Sequence, residues 1–568
     1  MRFLLQRKEE TPGFRPESFI FIQIFLCLIF SYVMLRTFNF SKVTSFFGAI
    51  VFSFNAFVIM RLSPGVGLEY LFAYKWIPLI LAFSKKYLDN GNKLDLLGLT
   101  IAFAFSFEGN ISIVIASGLL WLLYILTSYR REIKSKFIIF AAPVFSVFIY
   151  AIKLFPIVDL ARNGESRFSQ GVDGWRASNF DLYMFPKVFF PFKHEFTNGA
   201  FTPGAIAISL FFFGLILALV YFFKTKKQPF ASFYFSIITL VLAFFITIEN
   251  PIYYFFYSLP ILKMVTIIPS FLIFFVIPIV FLSSYAFSRL LNFVKNTKFY
   301  YVIIFIPILV FAEVLIGPST FGSKTYSFNF AKINYLSEVN GFSHYNLLKD
   351  QKPGLFIVKD NPKLFIYPYA ISTLNLKTLN DFGYFFGCRD NRKLLNSNIS
   401  EIKKRANYIF SMYPLEDSEL KLLGKVDMNT MLKLKSHSVF ENTIKYLSLY
   451  DTGWNDDIYL YVVNCKKDCA LKDYSDNPVS FSIPIQNNNV TNGQISTSIN
   501  YSKWLKAKNG KNILQSGKDE FDYMIVKGDG GETLSFTYFN PYIYIGLGIS
   551  VISFITFIHL FLRFKSQK

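Results

Sequence analysis

The stretch AIKLFPIVDLARNGESRFSQGVDGWRASNFDLYMFPKVFFPF, Ala151 to Phe192, sets the reading of the whole chain. It opens inside an apolar run that carries Lys153, bends at Pro156, and spills into a polar loop. That loop holds Asp159, Arg162, Glu165, Arg167, Asp173, Arg176 and Asp181, and MFPKVFFPF leads back to the next apolar run. An ionisable residue at or near membrane depth is expensive, so a site is the default hypothesis for it. Acids and arginines alternating beside aromatic rings, where a membrane helix meets water, suit an anionic, lipid-linked substrate. The other reading is a solvated loop whose charges pair with one another.

Working outward, composition sets the class. Of 568 residues 53% are hydrophobic, 71 are Phe, and the mean hydropathy is +0.38, which points to a polytopic membrane protein. Lys and Arg number 58 against 37 acids, a net charge of +21 that indicates basic cytoplasmic loops rather than nucleic-acid binding. Cys465 and Cys469, in CKKDC, form a small-loop disulfide candidate if they face an oxidising side. With four His in the chain, a zinc site lacks ligands, and His194 with Glu195 and Asp181 is a weak metal grouping. No cofactor is identified. No Walker loop, Rossmann fingerprint or Ser-His-Asp pattern stands out.

Apolar runs fall at Ser18–Leu35, Val43–Met60, Tyr70–Phe83, Leu94–Phe107, Ile111–Thr127, Phe137–Val158, Ala205–Phe223, Phe230–Ile248, Met264–Phe287, Phe299–Ile316 and Tyr542–Leu562. They predict about eleven spans of a bilayer of about 30 Å, two of them short. Alternate loops carry the bases: Arg36 and Lys42, then Lys85, Lys86 and Lys93, then Arg130 to Lys136, then Lys224 to Lys227, then Arg289 to Lys298. The positive-inside rule puts these loops in the cytoplasm, with the N-terminus and residues 317–540 outside. The expected organisation is an outer segment 1–17, a membrane domain 18–316 with an outer loop 159–203, and an extracytoplasmic α+β domain 317–540. A closing membrane helix 541–562 and a cytoplasmic tail 563–568 follow.

Within 317–540, β-type runs recur: LFIVKD, KLFIYPYA, DIYLYVVN, VSFSIPIQ, FDYMIVKG and TLSFTYF. Helical patches are expected around Ile402–Tyr413 and Met428–Ser436. The spacing from Pro478 to Tyr538 predicts a small β-sandwich, with GDGG at Gly528–Gly531 as a hairpin turn.

AIKLFPIVDLARNGESR, SNFDLYMFPKVFFPF and TPGAIAISLFFFGLILAL, in this order, resemble the middle of the YfhO-type membrane proteins. YSLPILKMVTIIPSFLIFF, NYSKWLKAKNGK, YMIVKGDGGETLSFTYFNPYIYIGLGIS and FFGAIVFSFNAFVIMRLSPG are similar to further segments of that family. The resemblance implies a GT-C-like fold. It also implies transfer of a sugar from a polyprenyl-phosphate donor to a cell-envelope glycan or lipid acceptor on the outer face of the cytoplasmic membrane. That family carries its catalytic Asp or Glu in a first outer loop with no recognisable counterpart in this sequence, so a non-catalytic partner- or glycan-binding scaffold is the alternative.

Such a transfer needs a carboxylate to deprotonate the acceptor and cations to hold the departing phosphate. The outer-side carboxylates are Glu69, Glu108, Asp159 and Asp181, and Asp159 with Arg167 ranks first because they sit at the family's helix-to-loop motif. The cations are Lys153, Arg162, Arg167, Arg176, Arg61 and Lys263. For Arg61 and Lys263 the competing role is a helix-end residue snorkelling to the interface. For Glu108 it is capping of the following helix, with Asn110 as the cap.

Overall fold

Helix follows the apolar runs wherever the chain is described. This computed structural model describes residues 16–55, 58, 68–128, 138–156, 204–247, 250–259, 273–320, 355–358, 377–378, 398–411, 413–427, 457–466, 469–470, 480–485, 490–500, 504–510, 512–520, 523–528 and 533–565. The helices are α1 (Pro16–Thr37), α2 (Lys42–Ser53), α3 (Leu68–Tyr74), α4 (Ile77–Asn90), α5 (Lys93–Ser106), α6 (Ile111–Thr127) and α7 (Ala141–Ile149). They continue as α8 (Ala205–Thr225), α9 (Phe233–Thr247), α10 (Pro251–Ser258), α11 (Ile273–Val294), α12 (Phe299–Ile303) and α13 (Ile306–Thr320).

Among the described residues, three helices are long and apolar enough to cross a membrane: Ala205–Thr225, Ile273–Val294 and Pro541–His559. The expected count of about eleven spans is not supported. A span needs about 20 residues at 1.5 Å each, and several runs supply less. The Tyr70–Phe83 run divides into α3 and α4, and Phe299–Ile316 divides into α12 and α13. Pro78 explains the first division, because it has no N–H to offer the Tyr74 carbonyl.

The chain forms two compact units, one of helices and one built mostly from residues 324–544. In the helical unit α11 is the core, with 83% of its most apolar window buried. Phe47 and Phe287 meet at 4.6 Å between ring centres, and Phe52 stacks on Tyr74 at 4.5 Å. Such rings bury roughly 150–250 Å² each.

In the second unit, β1 (Leu355–Val358), β2 (Lys377–Thr378), β3 (Tyr408–Ser411), β4 (Leu420–Asp427) and β5 (Asp457–Val463) form a mixed sheet in the order β2-β1-β3-β5-β4. Helix α14 (Ile399–Arg405) precedes β3, so the helical patch expected at Ile402–Tyr413 is a helix that gives way to a strand. Consecutive buried residues Tyr408, Ile409 and Phe410 favour that strand. The patch at Met428–Ser436 and the KLFIYPYA run lie outside the described residues. Cys465 and Cys469 are joined by a disulfide.

The sandwich forms as expected. Its first sheet runs β10 (Asn512–Ile513), β9 (Leu505–Asn509), β13 (Thr533–Tyr538), β6 (Ser480–Pro484). Its second runs β11 (Ser516–Lys518), β12 (Tyr523–Lys527), β8 (Gln494–Asn500), β7 (Val490–Thr491). Ile483, Ala507, Leu534 and Phe536 of the first share one core with Ile495, Met524 and Val526 of the second. GDGG is not a hairpin turn, because β12 and β13 belong to different sheets and the segment crosses between them. A tight hairpin forms instead at Asn492-Gly493, both with positive φ (51° and 69°), joining β7 to β8.

Strand β13 passes almost directly into α15 (Pro541–Lys565), whose N-terminus is capped by the Asn540 side chain accepting from Tyr542 N at 2.9 Å. Ile545, Leu547, Ile552 and Ile555 of α15 are exposed, as a lipid-facing helix requires.

Candidate functional site

A lysine inside an apolar run, LFAYKWIPL, is the starting point. The break between α3 and α4 falls on Lys75 and Trp76. Lys75 is buried, 5% exposed, and its ammonium donates to Gln23 Oε1 on α1 at 2.5 Å. The same ammonium lies over the rings of Phe72 (5.3 Å) and Trp76 (5.5 Å). Trp76 in turn stacks on Phe105, near the end of α5, at 5.3 Å.

Glu108 follows at the end of α5 and is exposed. Asn110 caps α6 through Ser112 N at 2.9 Å, as the capping role predicts.

Lys153 reaches the same turn. Its ammonium donates to the carbonyl oxygens of Phe107 (2.9 Å) and Glu108 (2.7 Å) and lies 5.7 Å from the Tyr150 ring centre. A cation on the last carbonyls of a helix is favourable, so Lys153 also fastens the end of α5. Lys153 thus meets the turn at Glu108 directly, and Lys75 reaches the end of α5 through Trp76, which stacks on Phe105.

Lys153 is placed by the C-terminal helix. Helix α7 ends at Tyr150 and helix resumes at 151, leaving the Ile152 N–H to donate to Ser550 Oγ at 3.0 Å. A Cβ on Gly546 would stand 2.6 Å from the Ala151 carbonyl oxygen, so only glycine allows this approach. Small residues four apart are how apolar helices come close.

Beside Lys75, buried polar groups continue the seam. Ser31 hydrogen-bonds the Cys27 carbonyl, Tyr74 donates to Phe52 O at 2.9 Å, and Asn55 donates to Phe52 O at 2.7 Å and to Tyr74 Oη at 3.1 Å. These bonds satisfy the polar groups of Ser31, Asn55 and Tyr74.

Of the residues expected to form the site, the structure brings Glu108 and Lys153 together. Glu69 lies on α3, with its side chain outside the described residues. Asp159, Arg61, Arg162, Arg167, Arg176 and Lys263 also lie outside the described residues. The sequence reading missed Lys75, although a lysine two residues past Ala73 in an apolar run, with Pro78 behind it, was a visible signal. It also missed Glu313, whose carboxylate accepts from Ala205 N and from Ile206 N (3.1 Å) and so caps α8. Among the described residues no group of three or more His, Cys, Asp or Glu is placed to hold a metal ion. No protein-family model matches the chain, and no curated protein matches it.

Proposed function

We propose that this chain is a multi-pass membrane glycosyltransferase that takes a sugar from a polyprenyl-phosphate donor and gives it to a cell-envelope glycan or lipid-linked acceptor. The observation that carries the reading is the turn at Glu108, where the Lys153 ammonium donates to two carbonyl oxygens, with buried Lys75 joined to the same helix end through the Trp76–Phe105 stack. Cations there would hold the phosphate, apolar helices would accept the prenyl chain, and a carboxylate would take the acceptor's proton. The Cys465–Cys469 disulfide supports an oxidising, extracytoplasmic location for residues 317–540. Asp159, Arg162 and Arg167 follow Lys153 in sequence and belong to the same proposal.

A second reading, a non-catalytic scaffold, is favoured by one observation: the Lys153 ammonium is already held by two carbonyl oxygens. Release of polyprenyl phosphate from a fluorescent donor by purified protein separates the two. The transferase reading expects turnover by the parent and a loss of roughly a hundredfold or more in Glu108→Gln, the scale of general-base catalysis. No turnover by the parent with any acceptor supplied favours the scaffold.

A further inference from the structure

The two outer faces of the β-sandwich differ in what covers them. On the second sheet, Tyr523 packs into the core of the mixed sheet, and Arg405 lies 4.7 Å over its ring while donating to Thr497 O at 3.0 Å. That face is covered from within the unit. On the first sheet, Leu505 and Ala507 point into the sandwich core, so Trp504, Lys506 and Lys508 point outward. The register places Thr537 beside Lys506, and Ser535 and the 61% exposed Ile513 beside Lys508. Ser482 continues that row, its hydroxyl 2.9 Å from that of Ser535. The described outward positions of this face include two lysines and no acid. Neither lysine forms an ion pair with another described residue.

One end of this face is aromatic. Phe539 N donates to Trp504 O at 3.0 Å, Trp504 meets Tyr542 edge-on at 5.9 Å, and Phe539 stacks on Tyr544 at 4.9 Å. Tyr542 and Tyr544 are the first turn of α15, the helix long and apolar enough to cross a membrane. Tryptophan and tyrosine at such a junction sit at headgroup level. At about 3.3 Å per residue along a strand, Lys506 and Lys508 lie about 7 and 13 Å from Trp504. With Trp504 at headgroup level, these separations are within about one to two Debye lengths.

We propose that this face, Trp504 and Phe539 at its base with Lys506 and Lys508 above, docks on anionic phospholipid headgroups of the bilayer that α15 enters. The charge is of the matching sign, the aromatic rim is continuous with the membrane helix, and among the described residues it is the opposite sheet that is covered. The proposal rests on α15 crossing a membrane and is independent of any catalytic activity.

The test uses the full chain in nanodiscs of phosphatidylcholine alone or with phosphatidylglycerol, with amine acetylation rates read lysine by lysine. Lys506 and Lys508 are expected to react about fivefold more slowly in the anionic discs, the factor given by ~1 kcal/mol per lysine near such a surface. High salt should restore their rates, and the exposed Lys421 and Lys527 should react alike in both discs. Brominated-lipid quenching of Trp504, taken as parent minus Trp504→Phe, should fall in a Lys506→Glu/Lys508→Glu variant. Equal acetylation in both discs overturns the proposal. So does protection by soluble polyphosphate in neutral discs without protection by anionic lipid, which would assign the face to a soluble anionic polymer.

Discussion

The Ile152 N–H donates to Ser550 Oγ at 3.0 Å, joining groups 398 residues apart in sequence. This bond ties the last helix to the segment that aims Lys153 at the Phe107 and Glu108 carbonyls. In an apolar environment a backbone donor at a helix break must find a partner. Ser550→Ala should therefore cost about 0.6–1.7 kcal/mol. Gly546→Leu should cost more, because the clash is with backbone that has no rotamer to change. Thermal denaturation in detergent checks both, and equal stability of parent and Gly546→Leu would contradict the packing described.

Arg405 should hold the mixed sheet to the sandwich. Its guanidinium donates to Asp519 Oδ2 at 2.6 Å and to Thr497 O, and Ser498 Oγ donates back to its carbonyl at 3.0 Å. Removing one partner of a buried pair costs about 3–5 kcal/mol, since the other charge is left stranded. Arg405→Leu should raise hydrogen exchange in both β3 and β8. Arg405→Lys should recover part of the loss but not the planar stacking on Tyr523.

Acid should loosen β4 before it loosens the sandwich. Lys403 donates to Asp417 at 2.7 and 2.8 Å and meets Glu419 Oε2 at 2.8 Å. The hydrogen bond from Lys403, aided for Asp417 by the Glu419 amide, holds both carboxyls below their ordinary values. Burial pushes the Lys403 ammonium down, but its hydrogen bonds to the two acids and their charges outweigh this and leave it raised. Depressed carboxyls stabilise the fold above their unfolded values, about 3.9 and 4.3, and that contribution is lost as pH falls through the folded values. The raised lysine contributes below about pH 10.4 and is lost as pH rises through its folded value. Exchange of the Leu420–Asp427 amides should thus be steady relative to Lys403→Met controls between about pH 5 and 10, and converge with them in acid.

Much of the fold was legible because its signals are local. Apolar runs such as Ile111–Thr127 became helices to the residue, and FDYMIVKG and TLSFTYF became strands. Cys465 and Cys469 were paired through a spacing short enough to see. What escaped depended on distant partners. Hydropathy reads Tyr70–Phe83 as one segment, whereas Pro78 breaks it and Lys75 takes its acceptor from α1. GDGG has hairpin composition, but the pairing of β12 with β8 and of β13 with β6 sends the chain to the other sheet. Nothing near Gly546 or Ser550 announces Ala151 and Ile152 as their neighbours.

The most direct measurement is equilibrium binding of a polyprenyl-phosphate analogue to purified protein, with Lys75→Met compared against the parent and against Lys421→Met. Loss of one charge-assisted contact is worth about 1.5–3 kcal/mol, roughly ten- to a hundredfold in affinity. The account predicts that Lys75→Met weakens binding by that factor, that Lys421→Met binds like the parent, and that both variants keep the parent's helix content. Unchanged binding by a folded Lys75→Met protein would contradict it and leave Lys75 as a buried cation held only by Gln23 and two aromatic rings.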